Sequence, residues 1–163
     1  MRTMNVAAAQ FQPKDGDKKY NLSVIEKLTA KAKASGADVI SFHELCITAY
    51  THLKDLDRDE LDQLAEEVPN GKSTRELVRI AGEYDITILA GLVERENGKI
   101  YNSYVCVDET GLIAKHRKIH PFISSHLSPG EEYTVFELNG WKCGILICYD
   151  NNVIENVRAT TLL

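Results

Sequence analysis

Ala37-Asp-Val-Ile-Ser-Phe-His-Glu44 decides the fold, because of what precedes it. It is a short run with strand composition, and a second such run, Asn5-Val-Ala-Ala-Ala-Gln-Phe11, lies upstream and suits a strand covered on both faces. The polar turn Pro13-Lys-Asp-Gly-Asp17 follows that first strand. Between the two runs Leu22, Ile25, Leu28 and Ala32 recur at helical spacing, with Asn21 expected as the cap and Gly36 just past the end. Strand, helix and strand in this order predict a parallel pair.

Downstream, Asp57 is expected to cap a second helix with Leu61, Leu64, Ala65 and Val68 on one face, ending at Pro69-Asn-Gly71. Ser73-Thr-Arg-Glu76 reads as a capping box for a third, whose apolar stripe is Leu77, Ile80, Ala81 and Tyr84. Ile86 to Glu94 and Lys99 to Val107 are strands joined at Asn97-Gly98, a pair that supplies the positive φ values of a tight hairpin. After the turn Glu109-Thr-Gly111, Leu112 to Ile119 is extended and Pro121 to Glu132 is loop. Tyr133 to Leu138 and Trp141 to Cys148 form a further hairpin around Asn139-Gly140. From Asn151 onward Val153, Ile154, Val157 and Thr161 recur at helical spacing, with Asp150 or Asn151 as the expected cap. The fold class is therefore α/β, with a mixed sheet. Residues 1–163 read as one domain, and because the last helix stops at Thr-Thr-Leu-Leu without a closing glycine, it is expected to be the N-terminal portion of a longer one.

Composition excludes several function classes. The chain has 163 residues, 44% hydrophobic and 26% charged, which suits a globular domain with a real core. A net charge of -5 argues against nucleic acid or an anionic membrane as partner, and Lys115-His-Arg-Lys118 is too short a basic run to reverse that. No apolar stretch is long enough to span a bilayer, and the start Met1 to Gln10 is too short in its apolar part for a secretory leader, so a cytoplasmic location is expected. The four cysteines, Cys46, Cys106, Cys143 and Cys148, contain no Cys-x-x-Cys pair and read as free thiols. Neither a glycine-rich nucleotide loop nor a helical pair of metal-binding histidines is present, since His116 and His120 lie in extended sequence.

One cysteine differs from the others in its place. Cys148 ends a strand and precedes a helix, where unpaired N–H groups would favour its thiolate, whereas Cys143 lies five residues earlier on the opposite face. A thiol nucleophile also needs a proton acceptor, and Glu44 stands at the end of another strand. Lys118, read alone, is a solvated charge as readily as a functional one.

Three segments in order, Phe42-His-Glu44-Leu-Cys-Ile-Thr-Ala-Tyr50, His116-Arg-Lys118-Ile-His-Pro121 and Gly144-Ile-Leu-Ile-Cys148-Tyr-Asp150, resemble the nitrilase, or carbon-nitrogen hydrolase, superfamily. The resemblance implies a four-layer α-β-β-α sandwich of the nitrilase type, apparently incomplete at its C-terminus. It implies a catalytic triad of Glu44, Lys118 and Cys148, substrate contacts from Tyr50, Tyr149 and Asp150, no metal or organic cofactor, a small amide as substrate, and a homodimer or larger assembly. Cys148-Tyr-Asp150 is closer to amidases and carbamoyl-amide hydrolases than to true nitrilases. The family usually places a second glutamate after the lysine motif, yet Phe122 to Pro129 holds no acid and Ser125 stands where that residue is expected. This departure supports a second reading, a catalytically impaired binding or assembly module of the same fold.

Overall fold

Two parallel and two antiparallel pairings build the main sheet. In the computed structural model, which describes residues 3–163, β1 (Val6–Ala9) pairs in parallel with β2 (Val39–Phe42), and β2 in parallel with β3 (Thr87–Glu96). Met1 and Arg2, the start of the segment judged too short for a leader, lie outside the described residues. Asn97 and Gly98, at φ 51° and 73°, turn β3 into the antiparallel β4 (Lys99–Asp108), and β5 (Gly111–Arg117) completes the order β1-β2-β3-β4-β5. A separate hairpin of β6 (Thr134–Leu138) and β7 (Trp141–Ile145) turns at Asn139-Gly140.

Side-chain alternation along the central strands creates two apolar faces. On one, Ile40, Ile88, Leu92 and Val105 pack under α1 (Lys18–Ala34) and α3 (Lys72–Tyr84), which contribute Ile25, Leu77 and Ile80. Each fully buried side chain of this kind stabilises the fold by roughly 1.5–3 kcal/mol. On the other face, Val39, Tyr104, Cys106 and Ala114 meet Leu138 and Ile145 of the β6-β7 hairpin. α4 (Ile154–Leu162) covers the outside of β7 so closely that a Cβ at Gly144 would stand 2.4 Å from the Thr160 methyl. Helices, sheet, sheet and helix form the four-layer α-β-β-α sandwich. Among the described residues no helix is long and apolar enough to cross a membrane.

Several local expectations are corrected. Asp17, not Asn21, caps α1, its carboxylate accepting the Tyr20 N–H at 2.9 Å. Asn21 is instead buried in the first turn, where its amide donates to the carbonyls of Lys14 and Ile47, because a buried amide must find partners. The Asp57 capping box forms as expected, but α2 (Arg58–Leu64) stops before Val68 because Glu66 leaves it to hydrogen-bond β3. Ser73 is no cap: α3 starts at Lys72 with Gly71 in the cap position, and the Glu66 carboxylate receives the Ser73 N–H and hydroxyl at 2.7 and 2.9 Å. β1 is an edge strand with Val6 57% exposed rather than a strand covered on both faces. β7 ends at Ile145, and a 3-10 turn (Cys148–Asn152), not an α-helix, follows it. α4 begins only at Ile154, without a side-chain cap from Asp150 or Asn151, and buries Asn156 while Ile154 stays 70% exposed.

Candidate active site

Three chain segments that leave strand ends converge between the two sheets. Glu44 follows β2 by two residues, Lys118 follows β5 directly, and Cys148 follows β7 by three. Each is held by backbone rather than by long flexible side chains.

The turn after Glu44 is anchored on β3. Leu45, fully buried, adopts a left-handed φ of 51°, a conformation that costs a residue with a Cβ about 1–2 kcal/mol. Packing against β3 fixes it there: the Ile47 N–H donates to the Gly91 carbonyl at 3.1 Å, and the Asn21 amide holds the Ile47 carbonyl at 2.9 Å. Gly91 is required by this close approach, since a Cβ there would lie 2.3 Å from the Leu45 nitrogen. A bulkier residue would push Glu44 out of place.

Lys118 is 1% exposed, and its ammonium donates to Glu44 Oε1 at 2.6 Å. The rings of Phe122 and Tyr50 stand 5.0 and 5.7 Å from the same nitrogen, within cation–π range. The Lys118 backbone continues the β4 ladder through the Asn102 carbonyl at 2.8 Å, and its own carbonyl accepts the Gly130 N–H at 2.8 Å. Gly130 is again a close approach, with a Cβ there only 2.2 Å from the Arg117 oxygen. A buried ammonium is costly unless a carboxylate meets it, so Lys118 and Glu44 are interdependent.

Cys148 is exposed and sits at a left-handed φ of 47°, a strained turn that lifts the thiol out of the strand. Its sulfur lies close enough to the Glu44 carboxylate and the Tyr149 backbone N–H for both to act on its charge. Partial burial and the Glu44 charge together raise the thiol pKa above its ordinary 9.0, outweighing Lys118 and the Tyr149 N–H, which lower it. The expectation of a thiolate preformed by a helix terminus is therefore corrected: the 3-10 turn offers one N–H, and the dominant neighbour is an anion. Cys148 is a thiol that needs a base. Cys46 and Cys106, by contrast, are fully buried, and burial pushes each up to about 12, while Cys143 packs against the β6-β7 core.

Asp150 locks the Cys148 turn to the Lys118 segment. It has no exposed surface, and its carboxylate accepts the N–H groups of Ile119 at 3.1 Å and His120 at 2.9 Å. Burial alone would raise its pKa, but the neighbouring His116 ring and these N–H groups more than offset that and hold it at about 2. His116 Nε2 stays 3.8 Å away, too far for a good bond, so the two backbone donors do most of the holding. His120 Nδ1 lies 3.1 Å from the same carboxylate, and Asn156 of α4 donates to the Asp150 carbonyl at 3.2 Å. His120 thus serves this bracket, whereas His116 Nδ1 lies 3.1 Å from the Thr134 hydroxyl, and among the described residues no group of three or more His, Cys, Asp or Glu is arranged to hold a metal ion.

A cleft of about 1200 Å³ opens over the site, lined by Gln10, Phe11, His43, Glu44, Tyr50 and Cys148 among others. Tyr50 faces both reactive groups, and burial followed by the charges of Glu44 and Cys148 raises its hydroxyl to about 12. Two residues expected to touch substrate are placed elsewhere. Asp150 is buried in its bracket, away from the cleft, because backbone donors capture it. The Tyr149 ring turns into a neighbouring depression beside Phe122, with centroids 5.6 Å apart, so only its main chain faces the sulfur. Ser125 is exposed, and what the loop after Lys118 brings beside its ammonium is the ring of Phe122 and not a second acid. Sequence reasoning missed Asn102, whose amide donates to Glu44 Oε1 at 2.6 Å. Its only signal was a polar residue inside the apolar run Lys99 to Val107, whose buried setting the sequence does not reveal.

The carbon-nitrogen hydrolase family model matches residues 5–162. A nitrilase of Pyrococcus abyssi is 33% identical over 98% of this chain and 61% of its own length. An (R)-stereoselective amidase of a Pseudomonas species is 32% identical over 98% of this chain and 57% of its own, and the 2-oxoglutaramate amidase of Bacillus subtilis is 35% identical over 96% and 60%. The chain thus spans less than two-thirds of the length of these relatives. Among solved structures, an amidase from Nesterenkonia sp. superposes with a TM-score of 0.78 at 22% identity, covering 96% of this chain and 59% of that one. A glutamine-dependent NAD+ synthetase from Acinetobacter baumannii superposes at 0.85 with 27% identity, covering 99% and 31%.

Proposed function

The chain belongs to the carbon-nitrogen hydrolase family, and on that premise we propose that it hydrolyses the carbon-nitrogen bond of a small amide through a thioester on Cys148. The observation that carries this reading is one carboxylate, Glu44, set between a buried ammonium at 2.6 Å and a thiol, at the floor of an open cleft. Two amidases among the relatives and the sequence Cys148-Tyr-Asp150 support an amide over a nitrile.

Glu44 takes the proton of Cys148 as the sulfur attacks the carbonyl carbon, forming a C–S bond and an oxyanion. The raised thiol pKa makes this base necessary. In this reading Lys118 and the Tyr149 N–H stabilise the oxyanion, and removing one such donor typically costs about a hundredfold or more in rate. Collapse breaks the C–N bond, the leaving nitrogen takes the proton from Glu44, and ammonia or an amine departs. Water then loses a proton to Glu44 as it attacks the thioester, the C–S bond breaks, and Cys148 regains its proton as the carboxylic acid leaves. One carboxylate serves both halves.

A homodimer or larger assembly and a cytoplasmic location belong with this proposal. Support for the first comes from α4, directly after the nucleophile turn, where Ile154 and Leu162 are 70% and 78% exposed. The competing reading, an impaired module, draws on the loop without an acid around Ser125. Ammonia release from short aliphatic amides, carbamoyl amino acids and nitriles separates the two. We expect release from an amide by the wild type and none by Cys148→Ala; no release from any substrate, or equal release by the variant, would overturn the hydrolase reading.

A further inference from the structure

We infer that Asn102 is a positioning residue that assigns the two oxygens of Glu44 different tasks, an inference that rests on the proposed hydrolase reading. Asn102 Nδ2 and Lys118 Nζ both donate to Oε1, each at 2.6 Å. A carboxylate oxygen has two lone-pair sites in its plane, so two short donors use the full capacity of Oε1. Oε2 is then the oxygen left to accept the Cys148 thiol proton. A lysine alone would not enforce this, because its ammonium is a compact charge on a flexible stem and can follow either oxygen. The Asn102 amide is planar, 1% exposed and carried by the middle of β4, so it fixes the plane of the carboxylate as well as the choice of oxygen.

Asn102 itself is held in this orientation at a cost. Its Oδ1 is buried without a hydrogen-bond partner, a condition that costs on the order of 1–3 kcal/mol in a folded protein. Rotating the amide to relieve that atom would direct Oδ1 at Glu44 and set two acceptors against each other. The pairing with Glu44 outweighs the orphan, and the Asn102 carbonyl, accepting the Lys118 N–H at 2.8 Å, keeps the residue beside both partners. The charged and titratable groups facing Glu44 are Lys118 from the end of β5, Cys148 after β7, and Tyr50. His43 adds a ring nitrogen 3.1 Å from the Glu44 carbonyl. Asn102 carries no charge and does not titrate, so its role is direction and not charge.

The test compares Asn102→Leu, which keeps the volume and removes the donor, with Asn102→Asp, which keeps the shape and replaces the donor by an acceptor. Each is made alone and with Lys118→Met, and far-UV circular dichroism and melting report the folded fraction. Per folded molecule, both single variants are expected to lose about tenfold to a hundredfold in kcat, the scale of a disturbed general base, with KM changed much less. Alkylation of Cys148 by iodoacetamide at neutral pH should slow in parallel, and adding Lys118→Met should give less than the product of the two single losses, because both donors act on one oxygen. An unchanged kcat, or a loss confined to KM or to the folded fraction, overturns the inference, as does full multiplicativity with Lys118→Met. If Asn102→Leu does not fold, Asn102→Asp decides on the same criteria. Wild-type protein that neither releases ammonia nor alkylates faster at Cys148 than at Cys143 would fail the hydrolase reading instead, so the two failures are distinct.

Discussion

Gly91→Ala should disable the site from β3, through the Glu44–Leu45 backbone, without altering a reactive group. A Cβ on Gly91 would stand 2.3 Å from the Leu45 nitrogen and 3.1 Å from the Glu44 carbonyl carbon. Ordinary contact begins at 3.4 Å, so the nearest approach falls short by 1.1 Å (3.4 less 2.3). Both atoms are main chain and cannot rotate away as a side-chain tip would. β3 is hydrogen-bonded on both flanks, to β2 and to β4, so the Glu44 turn is what gives. Overpacking of this kind costs about 1–3 kcal/mol of stability, and a misplacement of about 1 Å at a reacting group costs on the order of a hundredfold in rate. The assay is ammonia release from the best amide substrate, normalised to folded protein by circular dichroism, with a melting curve alongside. A folded variant with wild-type kcat would refute the claim that the Gly91 contact sets the position of Glu44.

Other outcomes follow from the charges. The alkylation midpoint of Cys148 is expected above the ordinary thiol value of 9.0 in the wild type; Lys118→Met should move it higher and Glu44→Gln lower, because the lysine lowers and the glutamate raises the thiol pKa. Shifts of the same sign in both variants would contradict that account. Asp150 is held at about 2 against an ordinary 3.8, so it contributes on the order of 2 kcal/mol of stability above the unfolded value, lost as pH falls through the folded one. Urea melts of Asp150→Asn should be weaker near neutral pH and lack that loss between about pH 4 and 2; a parallel pH dependence in both proteins would refute it. Phe122→Ala removes a ring 5.0 Å from the Lys118 ammonium, and kcat/KM should fall about two- to fivefold, the equivalent of about 0.5–1 kcal/mol. A larger loss in KM alone would assign the ring to substrate instead.

What the sequence disclosed and what it concealed divide along the range of the interaction. The Asn97-Gly98 and Asn139-Gly140 turns and the Asp57 cap are decided within a few residues, and each is found where it was expected. The helix starts at Asn21 and Ser73 were misjudged because distant partners, the Ile47 carbonyl and the Glu66 carboxylate, claim those side chains. The same holds at the site. Glu44, Lys118 and Cys148 were recognisable from three motifs in order, and the structure brings them together. Asp150 and Tyr149 belong to the same motif, but backbone donors bury one and the depression beside Phe122 takes the ring of the other. Gly91 and Gly130 looked like ordinary strand and loop glycines, since the backbone that crowds them comes from segments dozens of residues away or across a loop. The turn at Cys148 reversed the expected sign of its pKa shift, because helix type and the distance to Glu44 are both tertiary facts.

The central claim is that Cys148 carries the acyl group of an amide during turnover. Mixing the protein with substrate, quenching in acid within the first turnovers and mapping peptides by mass spectrometry reads this directly. The account predicts an acyl adduct on the peptide containing Cys148, absent at Cys143 and absent when Glu44→Gln blocks its formation. Ammonia released over many turnovers by the wild type with Cys148 still unmodified, and equally by Cys148→Ser, would contradict it.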